Sequence, residues 1–91
     1  MIKILKYRAV NKPPLVGFLD IEIDAWNLEI RDLSMIQMDG KRWFNLPTRP
    51  YTNENGEKKY APIVKFTEDA VKKRFLSAVG HAFDEYCRLH Q

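Results

Sequence analysis

Catalysis and metal binding require nucleophiles, bases or ligands in a suitable arrangement, and this chain offers few of them. It has two histidines, His81 and His90, and one cysteine, Cys87. Cys87 and His90 are three positions apart, so they could reach one ion from a helix. Zinc sites, however, need about four ligands that come in recognisable pairs. Because no second pair exists, we predict that the chain holds no metal.

Three acidic residues, Asp20, Glu22 and Asp24, alternate with apolar ones. Alternate residues of a strand share a face, so these carboxylates could hold a cation. Like charges at this spacing repel each other unless they are solvated or countered, and we expect a solvated face. The chain also has no glycine-rich phosphate loop, nucleophile elbow or HExxH helix. We therefore predict that the protein is not an enzyme and uses no cofactor or small-molecule substrate.

A different chemistry is indicated from Lys41 to Tyr60, where cations and aromatic rings are interleaved. Cations neutralise phosphates and release counterions, and exposed rings stack on bases. We therefore predict a nucleic-acid interface in which Trp43 or Tyr51 stacks on bases. The predicted phosphate contacts are Lys41, Arg42, Arg49, Lys58 and Lys59.

The distribution of charge supports a polyanionic partner. The net charge is +3, and positive charge collects in the first ten residues and from Asp39 to Lys59, whereas residues 11–38 are net negative. A basic patch of this kind suits nucleic acid. A net positive charge as small as +3 is also explained by solubility alone. Similarly, the cluster from Lys72 to Arg74 either contacts a ligand or pairs with nearby acids of its own helix.

Composition and length predict one soluble α+β domain over residues 1–91. Hydrophobic residues make up 45% of the chain and charged residues 30%, which is typical of a globular protein. The single cysteine cannot form an internal disulfide, which favours the reducing cytoplasm. No window approaches the roughly 18 apolar residues of a membrane span. We expect a cytoplasmic protein with no membrane partner.

Hydrophobic periodicity predicts an antiparallel sheet of four or five strands. The phase of the third strand breaks at Arg31-Asp32, which indicates a β-bulge. Asp39-Gly40 is typical of a tight hairpin turn. The composition of residues 47–58 predicts a loop. The predicted strands begin at Ile2, Leu15, Trp26, Arg42 and Tyr60.

The only long helix is predicted to follow Thr67, whose hydroxyl is a favourable N-cap. Its apolar residues, from Val71 to Leu89, cover nearly half of its circumference, which is wider than the usual stripe. We therefore expect the helix to pack on the sheet and also to contact something else. A second subunit would satisfy this surface, so we predict a homodimer.

The same residues resemble the stage V sporulation protein G (SpoVG) family, also called septation regulators. The matching parts are Asp32-Leu33 followed by MIQM, the turn DGKR, the segment WFNLPTRP, the polar loop TNENGEKK and Ala61-Pro62-Ile63 before the helix. The resemblance extends from the start of the chain to about Tyr86. Ala61 stands where the family often has histidine, and Trp43 and Tyr51 are not typical of it.

The resemblance implies a compact dimeric sheet with a helix, which binds DNA and in some members RNA and regulates transcription. It places Arg49 at the family's basic position. A more distant likeness is to single-strand-binding coactivator proteins, which combine a curved sheet with a dimer helix. A protein-interaction or assembly module without nucleic-acid activity is the remaining alternative.

Overall fold

The computed structural model describes residues 1–90 and has the predicted α+β architecture. Four strands form an antiparallel sheet in the order β1-β2-β3-β4. A separate pair, β5 and β6, forms a hairpin, and one C-terminal helix follows. The elements are β1 (Ile2–Lys12), β2 (Leu15–Ile23), β3 (Leu28–Met38), β4 (Lys41–Asn45), β5 (Thr48–Thr52), β6 (Lys58–Pro62) and α1 (Asp69–Leu89).

The core lies between one face of the four-stranded sheet and α1. Alternation in β2 and β3 directs apolar residues toward the helix, because successive side chains point to opposite faces. Phe83 of α1 lies at the centre, with its ring 5.1 Å from that of Tyr7 and 6.1 Å from that of Phe44 in edge-to-face contacts. The buried cluster is Leu19, Ile21, Leu33, Met35, Phe44, Val79 and Phe83.

The β-bulge predicted at Arg31-Asp32 is confirmed. Leu19 pairs with Leu33, but Ile21 pairs with Ile30, so β3 contains one more residue than β2 in this interval. Asp32 adopts a positive φ of 63°, and its N–H donates to Asp20 Oδ1 at 3.0 Å. The bulge restores the inward orientation of the apolar residues on both sides of the phase break.

The hairpin turn predicted at Asp39-Gly40 is also confirmed. Both residues have positive φ, 55° and 74°, and the flanking residues Met38 and Lys41 pair across the turn. Two consecutive positive φ values are typical of the two-residue turns whose twist matches that of the strands.

The prediction of a loop over residues 47–58 is wrong, because these residues contain β5 and the start of β6. Asn53 makes the hairpin possible, since its side-chain oxygen accepts from the N–H groups of Asn55 and Glu57 at 3.0 and 2.9 Å. Gly56 supplies the positive φ of 78° that the turn needs. Pro50 is tolerated because a two-stranded hairpin has open edges.

Two element boundaries also differ from prediction. The helix begins at Asp69, and its N-cap residue is Glu68 rather than Thr67, with no side-chain cap hydrogen bond. Trp26 lies in a short 3₁₀ turn (Asp24–Trp26) instead of a strand, and it is 72% exposed. Asn27 ends this turn in the left-handed conformation, which separates Trp26 from β3.

The β5–β6 hairpin, residues 48–62, is a projecting element that we call the arm. Every strand residue in it except Ala61 is exposed. Its base is closed by the Ile63 N–H, which donates to the Pro47 carbonyl at 3.2 Å. An isolated two-stranded hairpin is only marginally stable. The exposed arm lengthens the molecule, whose dimensions are 46 × 30 × 22 Å. Within residues 1–90, no helix is both long enough and apolar enough to cross a membrane.

The two buried glycines, Gly17 and Gly80, predict opposite responses to the same substitution. A Cβ at Gly17 would lie 2.5 Å from the Tyr7 ring, which Phe83 holds in place, and 3.0 Å from the Arg8 carbonyl. We expect Gly17→Ala to lower the free energy of unfolding by about 1–3 kcal/mol. A Cβ at Gly80 meets only ordinary contacts at 3.5 Å. Gly80→Ala should therefore raise the free energy of unfolding by up to about 1 kcal/mol, because alanine has a higher helix propensity than glycine. Urea unfolding of both variants measures the difference, and equal effects would contradict this packing.

Candidate functional site

The arm presents different residues on its two faces, because alternate residues of paired strands share a face. Pro50 pairs with Tyr60 and Thr52 with Lys58, which places these residues on one face. Tyr51 pairs with Lys59 and Arg49 with Ala61, which places these on the other. We call the first set the groove face and the second the back face.

A groove of about 420 Å³ lies between the groove face, the solvent-facing side of the sheet and the start of α1. We call it the arm groove. Ser34 of β3 and Asn45 of β4 contribute polar side chains from the sheet, and Tyr60 contributes a ring that is 63% exposed. Lys65 and Lys72 line the remaining wall together with apolar side chains, among them Leu46, Val64 and Phe66. A shape of this kind, open and lined by both cations and a ring, can accept an extended polyanion.

The lysines at the arm groove are not neutralised by neighbours. Within residues 1–90, no carboxylate lies within ion-pair distance of Lys58, Lys65 or Lys72, unlike Lys59 and Lys73. Lys58 Nζ lies 5.8 Å from the centre of the Tyr60 ring, a cation–π contact that keeps the two side chains together. The groove therefore combines free ammonium groups with an exposed aromatic face.

The arm groove continues onto the solvent-facing side of β4. Lys41, Trp43 and Asn45 alternate along this strand with Arg42 and Phe44, so they share the opposite face, and Trp43 also borders a hollow between the edge of β4 and α1. Asn45 lies in the groove, and Trp43, two residues away and 40% exposed, is about 7 Å further along the strand. In the described part of the chain, Lys41 has no carboxylate partner. A strand leaving the groove over Asn45 would meet Trp43 next.

Arg42 is placed differently from the other predicted contact residues. It points to the helix side of β4, the same side as the buried Phe44, and its guanidinium donates to both oxygens of Asp84 at 2.7 and 3.3 Å. It also lies over the rings of Phe44 and Phe83, at 5.3 and 5.7 Å. The predicted phosphate contact is thus corrected to a structural role, because the strand alternation directs this side chain toward the core.

The back face carries the remaining predicted residues. Arg49 has no acidic partner among residues 1–90, Tyr51 is 43% exposed, and Lys59 lies 3.8 Å from Glu57. The alternation of the paired strands directs these residues to the face opposite Lys58. The predicted set therefore divides into a groove side and a back face, and Arg42 is ion-paired with Asp84 on the helix side of β4.

The far end of the same sheet surface carries both signs of charge. Asp20 and Glu22 follow Phe18 along β2, and Glu29 is directly opposite Glu22 on β3. Lys6 and Lys3 of β1 pair with Asp20 and Glu22 on the other side. Arg8 is occupied by an ion pair with Asp32. A polyanion would therefore meet carboxylates among the cations at this end, unlike at the arm groove.

Sequence reasoning identified Tyr60 and Lys72 as part of basic, aromatic segments but missed Lys65. This residue lies in the irregular connection between β6 and α1, where no periodicity indicates which side a residue occupies.

The residues with catalytic or ligating potential have other surroundings. Cys87 is half-buried and packs against the core. His90 stacks on Tyr86 at 4.2 Å, and its Nδ1 lies 2.9 Å from the Tyr86 carbonyl oxygen. Residues 1–90 contain no group of three or more His, Cys, Asp or Glu side chains that could hold a metal ion.

No protein-family model, curated protein or solved structure matches this chain. The resemblance to the SpoVG family therefore stays a prediction.

The Arg42–Asp84 pair predicts a pH-dependent contribution to stability. The hydrogen bond from Arg42 lowers the pKa of Asp84 below its usual 3.8. The contribution is therefore present above pH 3.8 and is lost as pH falls through the lower, folded-state value. Because Asp84 is 60% exposed, we expect Asp84→Asn to cost only about 0.2–1 kcal/mol near neutral pH. Urea unfolding of both proteins should show this difference vanish in strong acid, and a constant difference would contradict the assignment.

Proposed function

We propose that this protein binds nucleic acid, and that the strand lies in the arm groove and over β4. The observation that carries the proposal is the arm groove itself, which Lys65, Lys72 and the exposed ring of Tyr60 line, with Lys58 in a cation–π contact with that ring. Lys58, Lys65 and Lys72 would neutralise phosphates and release counterions.

Stacking gives the second part of the proposed interaction. Tyr60 and Trp43 are exposed, and neither ring contacts another aromatic ring within residues 1–90. A ring on an open surface can stack on a base only if that base is not already paired and stacked in a duplex. The proposed ligand is therefore single-stranded DNA or RNA, with Lys41 contacting phosphate beyond Trp43.

The back face supplies a further contact in this proposal. Arg49 and Tyr51 present the same chemistry as the groove face, a free cation beside an exposed ring. A strand that leaves the groove around the arm would reach them. Because no concave surface supports this face, we assign it the weaker share of the binding energy.

Fluorescence anisotropy titration tests the proposal with labelled single-stranded DNA, duplex DNA and RNA of equal length. Between about 50 and 200 mM salt, binding of single strands should weaken along a log–log slope of about −0.7 for each phosphate contact, or about −3 for the four lysines. Equal affinity for duplex and single strands would contradict the stacking assignment. Undetectable binding in low salt would contradict the function.

A protein-interaction module would respond differently to the same titration. Apolar docking is almost insensitive to salt, whereas phosphate neutralisation is steeply sensitive. The regulatory role that the SpoVG resemblance implies depends on nucleic-acid binding, so it is part of the same proposal and stands or falls with this measurement.

A further inference from the structure

The two edges of the four-stranded sheet differ in regularity. β1, at one edge, pairs with β2 with register shifts between Ile4 and Lys6 and between Ala9 and Lys12, and each shift inserts one extra residue into β1. Bulges of this kind twist an edge strand and hinder the pairing of another strand with it. β4, at the other edge, pairs with β3 without any register shift. The sheet therefore has one bulged edge and one regular edge.

The regular edge, that of β4, presents backbone groups without a partner strand. The tight turn makes Met38 and Lys41 a hydrogen-bonded pair, and such pairs alternate with non-hydrogen-bonded ones along an antiparallel ladder. Lys41 and Trp43 therefore bond to β3, whereas the N–H and C=O groups of Arg42 and Phe44 point outward. Within residues 1–90, no strand pairs with this side of β4. Donors and acceptors in this pattern match the backbone of an added extended segment.

A hollow of about 320 Å³ lies beside this edge, between β4 and α1, and we call it the edge hollow. Gly80 brings the helix close to the strand, because a Cβ at this position would lie 3.5 Å from both Phe44 and Arg42. Leu76 and Phe44 give the hollow apolar walls, and the charge of Arg42 is countered there by Asp84. Since a cavity of about 150 Å³ is enough for benzene, the edge hollow can accept a side chain such as leucine or phenylalanine.

The charge of β4 indicates which kind of polypeptide suits its edge. The strand carries two cations, Lys41 and Arg42, and no carboxylate. Within residues 1–90, Lys41 has no carboxylate partner. A second β4 paired edge to edge would bring like charges together, which destabilises a ladder, whereas an acidic residue opposite Lys41 would be attracted. Charge complementarity therefore favours an acidic segment of a different protein over a second copy of this chain.

We propose that the edge of β4 binds an extended, acidic segment of a partner protein, whose backbone pairs with Arg42 and Phe44. Opposite residues of paired strands point to the same face. The partner residue opposite Phe44 would therefore enter the edge hollow and should be apolar, and its neighbours in the segment would lie on the other face, beside Lys41 and Trp43. The inference does not rest on nucleic-acid binding, because the backbone edge and the edge hollow carry it.

Selection of short peptides from a random displayed library, with the full chain as bait, tests the inference. We expect the selected peptides to alternate apolar with polar residues and to carry aspartate or glutamate among the polar ones. Anisotropy of a labelled selected peptide then measures its affinity before and after N-methylation. Methyl groups on one alternate set of amides should abolish binding and those on the other set should not, because only alternate amides of an added strand bond to the edge.

Ser77→Trp is the disrupting variant of the protein, and Lys73→Trp is its matched control. Both residues are exposed and lie one turn apart on α1, but only Ser77 lines the edge hollow. Tryptophan at this position should fill the hollow and weaken peptide binding at least about tenfold, whereas Lys73→Trp should leave it unchanged. Urea unfolding checks that both variants fold.

Each outcome decides the inference. Failure to select a peptide overturns it, as do selected peptides without the alternation, equal effects of methylation on both sets of amides, or equal binding by the Ser77→Trp and Lys73→Trp variants. A wild-type dimer in sedimentation velocity that Ser77→Trp disperses would assign the edge to a second copy and would also overturn it. A protein that binds these peptides but no oligonucleotide would contradict only the proposed nucleic-acid function.

Discussion

The double variant Tyr60→Ala, Lys65→Ala is expected to bind single-stranded oligonucleotides at least about tenfold more weakly than the wild type. Loss of base stacking on one aromatic ring costs about 1–3 kcal/mol, which is about 5- to 150-fold in affinity. Loss of one phosphate contact should also reduce the salt slope by about 0.7. Both side chains are exposed, so the free energy of unfolding should change little. Anisotropy titration at several salt concentrations measures both effects.

The matched control removes one tyrosine and one cation from the back face, in the variant Tyr51→Ala, Arg49→Ala. Both residues are exposed, Tyr51 at 43% against 63% for Tyr60, but they lie outside the arm groove. We expect a smaller loss of affinity from this variant. If the back-face variant loses more, the strand lies on Arg49 and Tyr51 instead, and if neither variant changes affinity, the arm is not the interface.

Phe83→Ala is expected to have the largest effect on stability, a loss of about 3–5 kcal/mol. Phe83 is 6% exposed, and its ring contacts Tyr7 and Phe44 edge-on and stacks with Tyr86. Its removal would leave a cavity where α1 crosses the sheet and would also expose the stem of Arg42. Small domains are stable by only about 5–15 kcal/mol, so this one change could remove much of the total.

Urea unfolding of Phe83→Ala and of Phe66→Ala tests this account of the core. Phe66 is only half-buried and contacts a single ring, that of Phe75 at 5.1 Å, so its replacement should cost clearly less. Equal losses, or a loss below about 1 kcal/mol for Phe83→Ala, would contradict the central position of Phe83.

Local signals in the sequence predicted the parts of the fold that local chemistry determines. The phase break at Arg31-Asp32 predicted the bulge because one inserted residue is the simplest way to keep apolar residues on one face. Asp39-Gly40 predicted its turn because few other residue pairs accept two positive φ values. The strand at Tyr60 was predicted, but β5 was missed because Pro50 and the polar residues around Asn53 are typical of loops. The turn that joins β5 to β6 is held by the Asn53 side-chain oxygen, which accepts from the N–H groups of Asn55 and Glu57, and composition does not reveal these bonds.

The site was predicted less completely than the fold, because a site depends on which residues become neighbours. Residue type identified Arg42 as a phosphate ligand, but its position in β4 directs it to Asp84. Conversely, Lys65 carried no signal until the β6–α1 connection brought it beside Tyr60. Charge and aromatic content predict the kind of ligand. The register of the arm then determines which of these residues share a face.

The measurement that tests the central claim most directly is the mapping of backbone amide shifts by NMR during titration of ¹⁵N-labelled protein with a single-stranded oligonucleotide. We predict that the perturbed amides cluster around Lys58 to Lys65, at Asn45 and Trp43 in β4, and near Lys72. Perturbations confined to the surface between β1 and α1 or to the end of the sheet around Asp20 and Glu22, or no perturbation at saturating ligand in low salt, would contradict the account.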